Sequence, residues 1–592
     1  MNRPRFSFSI LLTVSAFCTC LVWAQPDLSG DWGVRIHEDQ HWRGPGAEIG
    51  EYTGLPLNAA GQLRASSWNA SINTLPEKQC NPLPADDFTD ISNMRIWKEV
   101  DPVTQQVIAW REYTEWQAQE RTIWMDGRPH PPAWAPHTWQ GFSTGRWEGN
   151  QLVIATTHLK TAPFERVGLF RSDMGTLRER WIRHGDVLTV MAIIEDPVYL
   201  AEPMVRTRNY TLERSLRLTG YSCTPAAEIA NRPDGYVPHY LPGKNPFLRN
   251  AASRFRIPEI ALPGGAETMY PEYELKLKDP SARPAPVPMP PLAALPPPPD
   301  LTQAEIETWP VQGNVYLLIG PLGNSTVQVG EHSVLVVDPQ PAALSEKTLA
   351  AIRKISSKPI RYVVNTHFHP ETTGGNAAIA KAGSSIGGSN VARDLGEEAT
   401  SGAAILAHEN VLKRMSDPER RPAVPFAAWP TESYATEDYD LFNGEAVQLF
   451  HQPAAHTDGD SLVFFRRSDV IVAGDVLSTV SYPVIDRQNG GSINGLIAAL
   501  NHIIKLAVPR EKQEGGTYII PGKGRVCDEA DVVEYRDMAT IVRDRIADLV
   551  KQGMTLAQIK AAQPTLDYDA RYGPPDAFIA AIYADLAQGQ KN

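Results

Sequence analysis

The chain has 592 residues, of which 42% are hydrophobic and 21% charged, and a net charge of −12. That length holds several domains' worth of core, and those shares belong to folded globular protein rather than to a disordered chain. The acidic balance, with no basic run, speaks against nucleic acid and anionic membrane surfaces as partners.

The N-terminus reads as a secretory signal over residues 1–24. Arg3 and Arg5 precede a mostly apolar run, Phe6 to Val22, and Val22-Trp23-Ala24 fits a small-x-small cleavage site. The expected location is periplasmic or secreted. No later stretch is long and apolar enough to span a bilayer. Beyond the signal three cysteines remain, Cys80, Cys223 and Cys527. An oxidising compartment allows Cys80 and Cys223 to pair, although their spacing does not decide it. Cys527 reads as a small buried thiol, or as a group close to the strand end that precedes it.

Residues 27–245 show short β-type runs divided by Gly, Pro, Asn and Asp: Val107 to Trp110, Thr122 to Trp124, Leu152 to Thr156 and Val187 to Ile194. This predicts an all-β barrel or sandwich. Eleven of the fourteen tryptophans fall here, so they serve either the core of that domain or a groove for a flat ligand. His130, His137 and His158 match no metal-ligand template. The segment Trp139 to Val153 resembles a β module of exported bacterial proteins. Residues 246–304 read as a linker, because nine of the twenty residues from Ser281 to Asp300 are proline, which favours an extended strap.

From 305 to 530 strands alternate with helices, the pattern of a layered α/β domain. Asn314 to Gly320, Thr326 to Val329 and Ser333 to Val337 read as strands, and Leu344 to Ile355 and Asn376 to Lys381 as helices. In 531–592, Met538, Ile541, Val542, Ile546, Leu549 and Val550 recur at helical spacing, and a second helix is expected over Pro575 to Gln588.

The chemistry concentrates in four strand ends of the 305–530 region. The apolar run Ile360 to Val364 leads into Asn365-Thr366-His367-Phe368-His369-Pro370-Glu371-Thr372. Two histidines at i and i+2 project to the same side of an extended loop and can share one metal ion. His456-Thr457-Asp458-Gly459-Asp460 precedes another apolar run. Ile471 to Ala473 ends in Gly474-Asp475, and Ile519-Ile520 ends in Pro521-Gly522-Lys523-Gly524. Loops held at the ends of buried strands are where layered α/β proteins build their sites.

These four stretches, in this order, resemble the metallo-β-lactamase superfamily. The resemblance implies two mixed sheets between helices, an αβ/βα sandwich, and a hydrolase whose metal lies at one edge. It implies a first metal site made by His367, His369 and His456, with Asp475 as the carboxylate of a second. The match is incomplete: Glu371 stands where the family has Asp, Thr372 where it has His, and Lys523 where it has the last His. A lysine beside a second dication costs several kcal/mol of repulsion. The expectation is therefore one zinc per chain, with iron or manganese as alternatives. Lys523 either fills the space of the second ion, held by Asp475 and Glu371, or points to solvent.

The resemblance implies hydrolysis of an ester, lactone, amide or thioester of a small molecule, by hydroxide generated at the metal. Asp475 and Glu371 would orient water and pass on its proton, and Lys523 would bind a substrate carboxylate or the oxyanion. Two other classes stay open: a non-catalytic binding protein with a decayed site, and a member of the fold that performs cyclisation or elimination.

Overall fold

The computed structural model describes residues 25–592 except 36–47, 87–92, 116, 166, 221–222, 234, 279–291, 293–296, 298, 385–401, 513–514 and 590–592. The expected signal, 1–24, and most of the proline run lie outside the described residues. No helix among the described residues is long and apolar enough to cross a membrane.

The N-terminal domain is a closed nine-stranded barrel. Period-2 patterning builds it: in Val187–Glu195, Leu188, Val190, Ala192 and Ile194 turn inward while their neighbours turn out. Trp32, Trp110 and Trp181 fill the interior with Leu152, Ile154 and Tyr210, so these tryptophans are core. The wall contains one parallel pair, Gln119–Trp124 beside Phe142–Glu148, among otherwise antiparallel neighbours. Cys80 and Cys223 form a disulfide outside the barrel strands.

Two elements depart from expectation. A helix over Ala59–Ser67, capped by the Asn58 side chain accepting from Gly61 N, lies in the all-β region. It escapes periodicity because its buried positions are the small residues Ala60, Gly61, Ala65 and Ser67. The stretch expected as a spacer begins with short helices at Asn250–Phe255 and Tyr273–Leu277. It is tied to the N-terminal domain: Tyr52 N–H donates to Leu262 O at 2.9 Å, and Gly54 N–H to Thr268 Oγ1 at 2.9 Å.

The second domain stacks a seven-stranded sheet on a five-stranded one. The first runs in the order Glu307–Gln312, Val315–Ile319, Asn324–Val329, Val334–Val337, Ile360–Asn365, Ala404–His408, Glu432–Tyr434. The second runs Glu437–Phe442, Glu445–Gln452, Asp460–Phe465, Val470–Ser478, Tyr518–Lys523. Val337, Val364, Val463, Phe465, Val472 and Ile520 form the core between the sheets. Such strands read as unbroken apolar runs because both faces are covered. Helices Ser345–Ile355 and Asn376–Lys381 cover the outer face of the first sheet. Ile493–Leu506, the long helix Glu529–Lys551 and Asp576–Gly589 cover the second. The long helix opens with a capping box between Asp528 and Asp531.

The domains meet through buried ion pairs. Lys160 of the barrel side donates to Asp528 at 2.6 Å and Asp531 at 2.9 Å, and Asp173 receives Arg525 at 3.2 Å and Arg571 at 2.7 Å. Burial alone pushes the Asp173 carboxyl up, but the two guanidinium groups outweigh it and hold the group at about 2. Removing one partner from such a pair leaves an uncompensated buried charge, at a cost of about 3–5 kcal/mol.

Candidate metal centre

The centre begins where strand Ile360–Asn365 ends. Thr366 donates its backbone N–H to Asp338 Oδ1 at 2.8 Å and its hydroxyl to Oδ2 at 2.7 Å. With its hydrogen used, the Thr366 hydroxyl oxygen accepts, and His367 Nδ1 lies 3.2 Å from it. His367 therefore carries its proton on Nδ1. Its Nε2 is a lone pair, buried and without a hydrogen-bond partner among the described residues. Burial drives the His367 imidazole well below its ordinary value, so the ring is neutral.

The other two rings obey the same logic. Asp486 is ionised: burial pushes its carboxyl up, but hydrogen bonds from Asn489 and His369 hold it below the ordinary range. It accepts from His369 Nε2 at 3.0 Å. The Val484 carbonyl accepts from His456 Nδ1 at 2.7 Å. Each ring has thus given its N–H outward, and the inner atoms, His369 Nδ1 and His456 Nε2, face each other at 2.9 Å. Two facing lone pairs repel unless a cation lies among them. A ligand nitrogen from each of the three histidines lies within 4.8 Å of the others. An imidazole whose outer N–H is anchored by a carboxylate or carbonyl is the usual form of a metal-ligating histidine. The donor set fits a cation with a preference for nitrogen.

Carboxylates complete the site. Asp475 sits on strand Val470–Ser478, after Gly474 at φ +53°. A Cβ on Gly474 would lie 2.5 Å from Thr366 Oγ1, and one on Gly522 would lie 2.2 Å from Asp475 Oδ1. Glycine is needed at both places so that the two strand ends can close on each other. Burial raises the Asp475 carboxyl, yet it lies below the ordinary carboxylate range, with the Lys523 ammonium as the permanent cation beside it. Lys523 Nζ lies 3.4 Å from Asp475 Oδ2. Glu371 shares a second group of nearby ligand atoms with His367 and Asp475. Thr372 turns away and donates its hydroxyl to His369 O at 2.8 Å. Behind the ligands, burial pushes both Asp338 and Asp460 up to about 7, and the nearby Asp475 charge adds to each.

The structure brings His367, His369, His456, Asp475, Glu371 and Lys523 together. Cys527 is a buried thiol that donates to Arg525 O at 3.3 Å, and burial pushes its pKa up. Sequence reasoning overlooked Asp338 and the orienting role of Asp486. Asp338 adopts φ +53°, an uncommon left-handed conformation for a non-glycine residue; nothing in its sequence neighbourhood signals that. Asp486 stands in the loop that follows strand Val470–Ser478, and no local pattern ties it to a particular ring.

Residues 318–510 match the family described as Metallo-beta-lactamase superfamily. Among solved structures, the stereoselective inverting sec-alkylsulfatase Pisa1 from Pseudomonas sp. is 15% identical with a TM-score of 0.35, over 47% of this chain and 50% of that one. This chain thus spans half of that protein's length. A metallo-beta-lactamase from Pontibacter korlensis is 11% identical with a TM-score of 0.30, over 40% of this chain and 99% of that one. The DIM-1 metallo-beta-lactamase is 17% identical with a TM-score of 0.29, over 40% and 99%. The family match over 318–510, which contains the three histidines and Asp475, identifies this part of the chain as a domain of the metallo-beta-lactamase superfamily.

Proposed function

We propose that the chain is a metal-dependent hydrolase that holds one zinc ion and acts on an ester, lactone, amide or thioester of a small molecule. The observation that carries this is the convergence of three imidazole lone pairs whose outer N–H groups are all anchored. An all-nitrogen set suits zinc. When bound, zinc supplies Lewis acidity and makes water a stronger acid. His367, His369 and His456 hold the ion. Asp475, ionised and buried against them, orients water and accepts its proton, and Glu371 lies close enough to share that task. Lys523 brings a positive charge to the same edge, where it can receive a substrate carboxylate or the developing oxyanion. That charge, 3.4 Å from Asp475, also disfavours a second dication and supports a count of one.

We also propose export to the periplasm or beyond; the Cys80–Cys223 disulfide supports an oxidising compartment. The test is metal content per chain, measured by elemental mass spectrometry, beside turnover of a panel of esters, lactones and thioesters. About one zinc per chain with turnover of at least one class is expected. Two ions per chain would overturn the role given to Lys523, and no metal after zinc is supplied would overturn the hydrolase.

A further inference from the structure

An open cleft of about 720 Å³ lies between the barrel and the metallo-beta-lactamase domain. Trp134, His137 and Met174 line it from the barrel side, and Leu322, Val480 and Lys523 from the other. Lys523 therefore belongs both to this cleft and to the metal centre, through its 3.4 Å contact with Asp475.

The barrel holds the very loop that carries Lys523. Val526 N–H donates to Trp134 O at 3.1 Å, and Arg525 donates to Asp173 at 3.2 Å. The charge of Arg525 is matched by Asp173 and Asp531, and that of Arg571 by Asp173. Lys523 is paired more loosely, 3.4 Å from Asp475, and its side chain is 33% exposed, so its ammonium keeps N–H donors for a ligand in the cleft. The remaining lining is apolar or uncharged. Met174 and Val480 are 46% and 56% exposed on opposite walls, open to a ligand between them. His137 gives Nδ1–H to Leu159 O at 3.0 Å, and burial holds it down at about 3, so it stays neutral. The Trp134 indole N–H is buried and has no acceptor among the described residues. A cleft in which Arg525 and Arg571 are neutralised by carboxylates, the uncharged lining is largely apolar and the Lys523 ammonium adjoins the reacting centre fits a ligand with an apolar body and one anionic group.

We propose that the barrel forms one wall of the substrate site, and that the site takes a small anionic molecule whose carboxylate meets Lys523 and whose apolar body lies between Met174 and Val480. The word substrate rests on the hydrolase reading; the binding does not. The test uses the full, zinc-supplied chain with two probes in isothermal titration calorimetry, 4-phenylbutyrate and its uncharged counterpart 4-phenylbutan-1-ol. The acid is expected to bind at least about tenfold more tightly than the alcohol. Lys523→Ala should erase that difference. Met174→Trp and Val480→Trp, both at exposed positions that tolerate the larger ring, should each weaken the acid by about tenfold. Equal affinity for acid and alcohol, no binding of the acid, or affinity unchanged in both tryptophan variants would overturn the proposal. Weakened binding in those variants, in a protein that turns over no ester, lactone, amide or thioester, would keep the cleft and remove the hydrolase instead.

Discussion

Two buried polar clusters in this molecule are built on opposite plans. Inside the barrel, Arg121 donates to Ser143 at 3.0 Å, Thr156 at 2.7 Å and Glu112 at 3.5 Å, and pairs with Glu179. Its guanidinium is fully matched. Burial pushes Glu112 up to about 8, against the attraction of Arg121 and with the charge of Glu179 adding, so one cation meets one anion and one neutral acid. In the metal centre the outer nitrogens are just as well satisfied, yet the inner three are left as lone pairs aimed at one another. The first cluster carries its own cation, Arg121, and leaves only Glu112 Oε1 among its carboxyl oxygens without a partner among the described residues, so it holds the barrel together. The second is closed on the outside and open on the inside, which is what a cation site requires. Burial alone does not separate structural from functional polar groups; the direction in which their hydrogen-bonding capacity is left over does.

Four substitutions break or sharpen that contrast. His367→Ala should abolish metal binding and lower turnover on the order of a thousandfold or more, with the fold retained by circular dichroism. Loss of turnover with metal still bound would mean that this ring is not a ligand. Arg121→Met leaves Glu179 buried without its counter-charge and should cost about 3–5 kcal/mol in denaturant unfolding, while metal content per folded chain stays unchanged. An effect on metal content would show that the clusters are not independent. Asp486→Ala frees the His369 ring and should weaken metal affinity by about 10–100-fold in a chelator competition; an unchanged affinity would remove its orienting role.

The smallest effect concerns pH. Glu112 is raised in the folded chain from 4.5 to about 8. Between those values the folded state keeps a proton that the unfolded state releases. Stability from this group is therefore fully present below about pH 4.5 and declines as pH rises toward 8. Glu112→Gln, which stays neutral, should flatten that decline in unfolding curves taken across the range. A decline of the same slope in the variant would assign it to another group.

Much of the centre is legible in the sequence. His367, His369 and Asp475 follow apolar runs and His456 stands just before one, and an apolar run bounded by a polar residue marks a strand end whatever the rest of the chain does. The covered sheets are equally plain, since strands such as Val334–Val337 are apolar on both faces. Helix Ala59–Ser67 was not, because it buries small residues that leave no hydrophobic stripe. The helical start of the supposed spacer was hidden by the proline-rich stretch that follows it in sequence.

What the residues alone determined, then, is local: strand ends, a four-part motif, a nitrogen-rich ligand set, and a lysine where a second set of ligands would be incomplete. What only the tertiary structure decided is relational. Asp338 and Asp486 act on His367 and His369 across 29 and 117 positions of chain, through contacts no spacing encodes. The barrel, readable only as an aromatic-rich β domain, turns out to hold the Lys523 loop and to face it across a cleft. Periodicity and motif report what each residue does to its own backbone, whereas lone-pair direction and cleft lining depend on which distant segments fold against each other.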